Sequence, residues 1–127
     1  MATTFYKYHG AGNDFILFDN RNGDVVLTNG KVAALCHRHF GIGADGLMLL
    51  EKPNREGDHF HMVYFNSDGN ESTMCGNGGR CISLFAHHLG IVEDRALFTA
   101  IDGPHWAEIH GEKVQLGMVD ASIITER

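Results

Sequence analysis

Cys75-Gly76-Asn77-Gly78-Gly79-Arg80-Cys81 places a thiol directly before a glycine-rich turn. An apolar run follows: Cys81, Ile82, Leu84, Phe85, Ala86 and Leu89, closed by Gly90. It reads as a helix ending in a glycine cap, and apolar residues on most of its faces predict a place in the core. The first N–H groups of such a helix have no internal partner and carry the positive end of its dipole. A thiol there ionises more easily than a free cysteine, whose pKa is about 8.5. The same amides can bind a carboxylate or phosphate, and glycines let a ligand approach the backbone closely. The motif therefore offers a reactive thiol beside an anion seat. Cysteine is among the most buried residue types, so a lone one is usually a packing residue; this many flanking glycines and amides favour the functional reading.

Other residues compete for a role. Asn13 and Asn66 stand in polar loops and suit a zwitterionic ligand, because an amide both donates and accepts. Asp14, Asp45 and Asp68 also lie in or beside glycine-containing loops, where carboxylates more often hold turns together. Arg80 can meet an anion or make a surface pairing. Gly41-Ile42-Gly43-Ala44-Asp45-Gly46 matches G-x-G-x-x-G, yet a helix precedes it and a strand follows, the reverse of a dinucleotide fingerprint. Among nine histidines, Cys36 with His39 and His59 with His61 could each supply two metal ligands, but no closed four-ligand set is present. His87-His88 falls in the last helical turn, where a cation suits the dipole.

The elements that must position these groups follow from the patterning. Strands are expected at Thr4 to His9, Phe15 to Phe18, Leu47 to Leu50, His59 to Phe65, Ala96 to Ile101, His105 to His110 and Lys113 to Met118. Thr28 is a cap for a helix through Val32, Leu35 and Cys36 to about His39. Asp102-Gly103 and Gly111-Glu112 read as hairpin turns. The fold class is α+β: a mixed β-sheet wrapped around a central hydrophobic helix.

A chain of 127 residues is one ordinary domain with room for a real core. A net charge of −6 argues against nucleic acid, whose binding needs a basic face. No stretch approaches about 18 consecutive apolar residues, and no signal peptide is recognisable, so no membrane partner is expected. Three cysteines are too few for a disulfide scaffold and suit thiols in the cytoplasm.

Four stretches in this order carry a resemblance: His9 to Phe15, Arg38 to Gly46, Phe65-Asn66-Ser67-Asp68-Gly69 and Cys75 to Cys81. Together they resemble the N-terminal half of the diaminopimelate epimerase family, of lysine and peptidoglycan precursor biosynthesis, from about Phe5 to about Met118. The resemblance implies an isomerase that interconverts LL- and meso-diaminopimelate without cofactors, neither pyridoxal phosphate nor metal. In this family one cysteine thiolate removes the α-proton and a second thiol delivers a proton to the opposite face. By resemblance Cys75 is one of the pair, Gly76 and Asn77 hold the α-carboxylate, and Asn13 and Asn66 contact the amino-acid substrate. Cys36 and Cys81 fall outside the catalytic position and are assigned to packing. Some members carry a substrate-touching glutamine where Gly46 stands, and that contact is not carried over. The resemblance places residues 1–127 in a single domain, with the C-terminal domain that supplies the opposing cysteine absent. A homodimer or pairing with a C-terminal half-domain is therefore expected. The alternatives are a non-catalytic half-domain that binds a small zwitterion or a partner chain, and a proline racemase- or phenazine-biosynthesis-like isomerase.

Overall fold

The computed structural model describes residues 3–10, 12–73 and 76–118. Seven strands form one sheet in sequential order: β1 (Tyr6–Gly10), β2 (Asn13–Asp19), β3 (Gly46–Glu51), β4 (Phe60–Asn66), β5 (Arg95–Ala100), β6 (Gly103–His110) and β7 (Lys113–Met118). Helix α1 (Asn29–Cys36) joins β2 to β3 and helix α2 (Gly76–His88) joins β4 to β5. Those two pairs are parallel and all others antiparallel, which makes the sheet mixed.

Alternation along the strands explains where the core sits. Phe15, Leu17, Met48 and Leu50 face α2, together with Ile82, Phe85 and Ala86 of that helix. Ile16, Phe18, Leu47 and Leu49 face the other way, onto Val32 and Cys36 of α1. Successive strand residues point to opposite faces, and a strand covered on both faces reads as the continuous apolar run seen at Leu47 to Leu50. The two helices take opposite faces for a topological reason. Strand β4 runs against β3, so β4 and β5 point opposite to β2 and β3 while the chain still advances across the sheet. The same crossover hand then puts α2 on the face that α1 leaves open.

The sheet curls into a half-barrel. Flat, its edges β1 and β7 would lie roughly 29 Å apart at about 4.8 Å per strand spacing. Yet α2 packs against β1, β2, β3, β6 and β7. Tyr8 on β1 hydrogen-bonds to His88 Nδ1 in the last turn of α2, and His88 Nε2 lies 3.4 Å from Glu112 in the β6–β7 turn. Burial, with the Glu112 carboxylate second, pushes the Tyr8 phenol up to about 12, so it stays protonated beside His88.

Several boundaries differ from those expected. The β1–β2 hairpin is tighter, with Gly10 already paired to Asn13. Ala11, between the strands expected at Thr4 to His9 and Phe15 to Phe18, lies outside the described residues. The β5–β6 turn is Ile101-Asp102, because Gly103 pairs with Ala100. Helix α1 has its Thr28 cap, whose hydroxyl accepts from the Lys31 N–H at 3.2 Å, but it ends at Cys36. His37 turns extended and its ring Nδ1 accepts from the His39 and Phe40 N–H groups, a local alternative to helical bonding. Cys36 and His39 therefore share no helix face. Helix α2 lies in the core as expected, with Arg80 and His88 exposed on the stripe opposite Ile82 and Ala86. Its end is as expected. Gly90, at φ +80°, closes a Schellman motif in which the Ile91 and Gly90 N–H groups donate to the Ala86 and His87 carbonyls.

One polar atom in this core has no hydrogen-bond partner among the described residues: the hydroxyl of Ser83, fully buried on α2. Ser83→Ala removes that desolvated group and substitutes the best helix former, so unfolding free energy in urea is expected to rise by about 1–2 kcal/mol. A loss of stability would mean that the hydroxyl is satisfied.

Candidate active site

The chain topology gathers one end of the sheet. There β1 ends, β2 and β3 begin, β4 ends, α1 ends and α2 begins. Gly10 packs directly on the first turn of α2: a Cβ added to it would sit 3.2 Å from Asn77 Cβ and 3.5 Å from Cys81 Sγ. That contact brings two of the expected site residues together, for Asn77 Nδ2 donates to Asn13 Oδ1 at 2.7 Å. Gly76 is the first residue of α2. Asn66 ends β4 at the same end of the sheet, one strand beyond Gly46, which pairs with it. It is not part of the Asn13–Asn77 contact; its backbone closes the turn with Gly69 and Asn70. Cys75, the expected catalytic thiol, lies outside the described residues, and α2 opens at the residue that follows it.

A charge cluster that the motifs alone do not single out braces Asn13. Arg38 grips Asp14 with two bonds, Nη1 to Oδ2 at 3.0 Å and Nη2 to Oδ1 at 2.8 Å. Lys7 adds a bond to Asp14 Oδ2 at 2.8 Å and reaches the Gly43 carbonyl. Asp45 Oδ2 accepts from the Asp14 N–H at 3.1 Å and from Asn13 Nδ2 at 3.2 Å, while its Oδ1 accepts from Arg38 at 3.1 Å. In return the Asp45 N–H donates to the Asp14 carbonyl. The two glycine motifs are thus stapled by reciprocal aspartates, as expected of carboxylates in such loops. Asp68 likewise holds its own turn by accepting from the Asn70 N–H at 2.9 Å. The only sequence signal for the cluster was the placing of opposite charges, Arg38 and two aspartates, inside those motifs.

His9, Gly10, Gly12, Asn13, Asp14, Arg38 and Asp45 line an open cleft of about 410 Å³. A larger cavity, about 490 Å³, lies beside α1 and is lined mostly by apolar groups such as Phe5, Phe18, Val25 and Leu35. Asp24 and Lys31 are the charged residues on its lining, and none of the expected site residues reaches it. The two buried cysteines are packing residues: Cys81 sits among the α2 core and Cys36 among the α1 core, where burial pushes its thiol up. His59 and His61 are occupied by the sheet itself, Nδ1 of the first accepting from the Leu97 N–H and Nδ1 of the second meeting Thr99 Oγ1. Arg80 donates to Asn77 Oδ1 at 2.9 Å while remaining exposed. Gly46 has no room for a side chain, since a Cβ would come within 2.8 Å of the Tyr64 ring and 2.9 Å of the Phe65 carbonyl.

A family model described as diaminopimelate epimerase matches residues 5–124. The chain belongs to the diaminopimelate epimerase family. It is 56 % identical over 106 residues to the diaminopimelate epimerase of Flavobacterium psychrophilum, covering 83 % of this chain and 41 % of that protein. Against the enzyme of Chlorobaculum tepidum it is 50 % identical over 116 residues, covering 89 % and 44 %. The chain thus spans less than half the length of these relatives. Among solved structures, a hydroxyproline epimerase from Agrobacterium vitis superposes with a TM-score of 0.69 at 13 % identity, over 91 % of this chain and 41 % of that one. The likeness identifies a shared diaminopimelate epimerase/proline racemase-like fold. No helix among the described residues is long and apolar enough to cross a membrane.

The charge cluster dictates an acid response. The Arg38 guanidinium, with Lys7 and the Asp45 N–H helping against burial, holds the Asp14 carboxyl well below the usual carboxylate range. The unfolded chain then takes up the proton first. The stabilisation is complete above the ordinary carboxylate pKa of 3.8 and is lost as pH falls below it. Asp14→Asn is expected to lower unfolding free energy at pH 7 by about 2 kcal/mol and to flatten the decline between about pH 4 and pH 2. An unchanged acid slope would show that Asp14 is not the residue responsible.

Proposed function

We propose that this chain is one half of a cofactor-independent amino-acid epimerase that interconverts LL- and meso-diaminopimelate in the cytoplasm, using neither pyridoxal phosphate nor metal. One observation carries the reading: the 2.7 Å bond from Asn77 to Asn13, which joins the first glycine motif to the start of α2 immediately after Cys75. Membership of the family and the identity to its curated members support it.

The roles follow from chemistry. Cys75 removes or returns the α-proton, helped by the helix N-terminus that favours its thiolate. The amides of Gly76 and Asn77 take the α-carboxylate, and the carboxamides of Asn13 and Asn66 contact the rest of the amino-acid head. An α-proton is a very weak acid, and preorganised donors stabilise the charge that develops as it leaves. Inversion needs a second acid on the other face. In this reading residues 1–127 form a single domain whose sheet wraps around α2 as its central helix, a view supported by the packing of α2 on β1, β2, β3, β6 and β7. The second thiol comes from a similar half, either a C-terminal domain or a second copy. Phe40, 91 % exposed in the loop beside Arg38, suits such a contact.

Proton NMR with LL-diaminopimelate in heavy water tests the assignment. Loss of the α-proton signal is expected, and Cys75→Ser is expected to slow it by at least about 100-fold. Appearance of the meso isomer would mean that a second thiol is in place, and exchange with retained configuration that Cys75 works on one face alone. Exchange undiminished in Cys75→Ser overturns the role given to that residue. Binding without exchange, in a protein already paired with its second half, favours the zwitterion-binding alternative.

A further inference from the structure

We propose that Asp45 and Arg80 are positioning residues that set which way the carboxamides of Asn13 and Asn77 face; the proposal rests on the epimerase reading of this site. Four side chains form a series of hydrogen bonds with a single polarity. Arg80 Nη1 donates to Asn77 Oδ1 at 2.9 Å, Asn77 Nδ2 donates to Asn13 Oδ1 at 2.7 Å, and Asn13 Nδ2 donates to Asp45 Oδ2 at 3.2 Å. The two ends decide the middle. A guanidinium carries donors only, and an ionised carboxylate only accepts. A carboxamide has nearly the same shape either way round, so its partners determine its orientation. Asp45 requires Asn13 to turn its NH2 toward it, which leaves the Asn13 oxygen for Asn77. Arg80 requires Asn77 to turn its oxygen outward, which leaves the Asn77 NH2 for Asn13. The two charges sit at opposite ends of the series, one on the loop before β3 and one on α2, and they demand the same arrangement.

Asp45 is itself held. Arg38 fixes its Oδ1 at 3.1 Å, and the Asp14 N–H shares its Oδ2 at 3.1 Å. Asn13 lines the cleft and keeps one N–H and one lone pair beyond these bonds among the described residues. With the series intact that remaining donor always stands in one place. A flipped Asn13 would put an oxygen where the ligand meets a donor, and a substrate carboxylate there would face like polarity. Substituting one terminal charge by a neutral amide removes one of these two demands and leaves the pair held from one end only.

Side-chain amide resonances of the 15N-labelled protein test this directly, with Asn13→Ala and Asn77→Ala spectra to assign them. In the native chain both pairs are expected to lie away from the position of solvent-exposed asparagines. Asp45→Asn is expected to move both pairs, although only Asn13 touches Asp45, and Arg80→Gln to move both from the other end. Lys7→Gln, which loosens the neighbouring charge cluster without touching the four side chains, is expected to leave them in place. In the assembled enzyme, Asp45→Asn should raise KM for LL-diaminopimelate by about five-fold with a smaller change in kcat, and Asp45→Glu should restore it. An Asn77 pair unmoved by Asp45→Asn overturns the proposal, as do equal shifts in Lys7→Gln. Should Asp45→Asn fail to fold, Arg80→Gln on the exposed helix surface reads the same lock. A native enzyme that neither binds nor exchanges LL-diaminopimelate overturns the epimerase reading, while the resonances still report the amide orientations.

Discussion

Burial of one side of α2 is the constraint on which the rest of this structure depends. Phe85, Ile82 and Ala86 lose all or nearly all contact with water, and each large side chain so buried contributes about 1.5–3 kcal/mol. A helix some 10–12 Å across cannot cover a flat seven-stranded sheet. The sheet meets it by curling, and the curl brings β1 within reach of α2 on one side and the β6–β7 turn on the other. Tyr8, His88 and Glu112 mark the place where both edges meet the helix.

The same packing has a consequence at the opposite end of α2. With the helix against β1, the Gly10 backbone lies on its first turn and a side chain there would press on Asn77. The site is thus assembled by ends of elements rather than by their faces. Backbone groups that elements leave unsatisfied at their termini collect there, and charged side chains do part of the compensation. Arg38, at the end of α1, ties Asp14 on β2 to Asp45 before β3. A cluster of two cations and two carboxylates gives that end a rigid floor, against which two carboxamides can hold a definite orientation.

Much of the fold could be read from the pattern of residues. All seven strands and both helices were legible because alternation and helical spacing are local properties of the chain. The misreadings were also local in origin. Helix α1 stops at Cys36 because the His37 ring competes for the N–H groups of His39 and Phe40, a side-chain effect that apolar spacing does not record.

By itself the sequence determined the family, the order of the elements, the thiol placed directly before a helix and the asparagines set beside glycine-containing motifs. Those features are written in residue type and spacing. Tertiary structure alone decided which of them meet. Asn13 and Asn77 are 64 positions apart and touch only because β1 ends and β2 begins where α2 begins. Asp45 and Arg38 became partners of Asp14 through the parallel register of β2 with β3, and register is a property of paired chains. The closing of Gly46 to any side chain likewise belongs to Tyr64, one strand away. Local patterning specifies elements; the burial that docks them specifies neighbours, and chemistry at this site is done by neighbours.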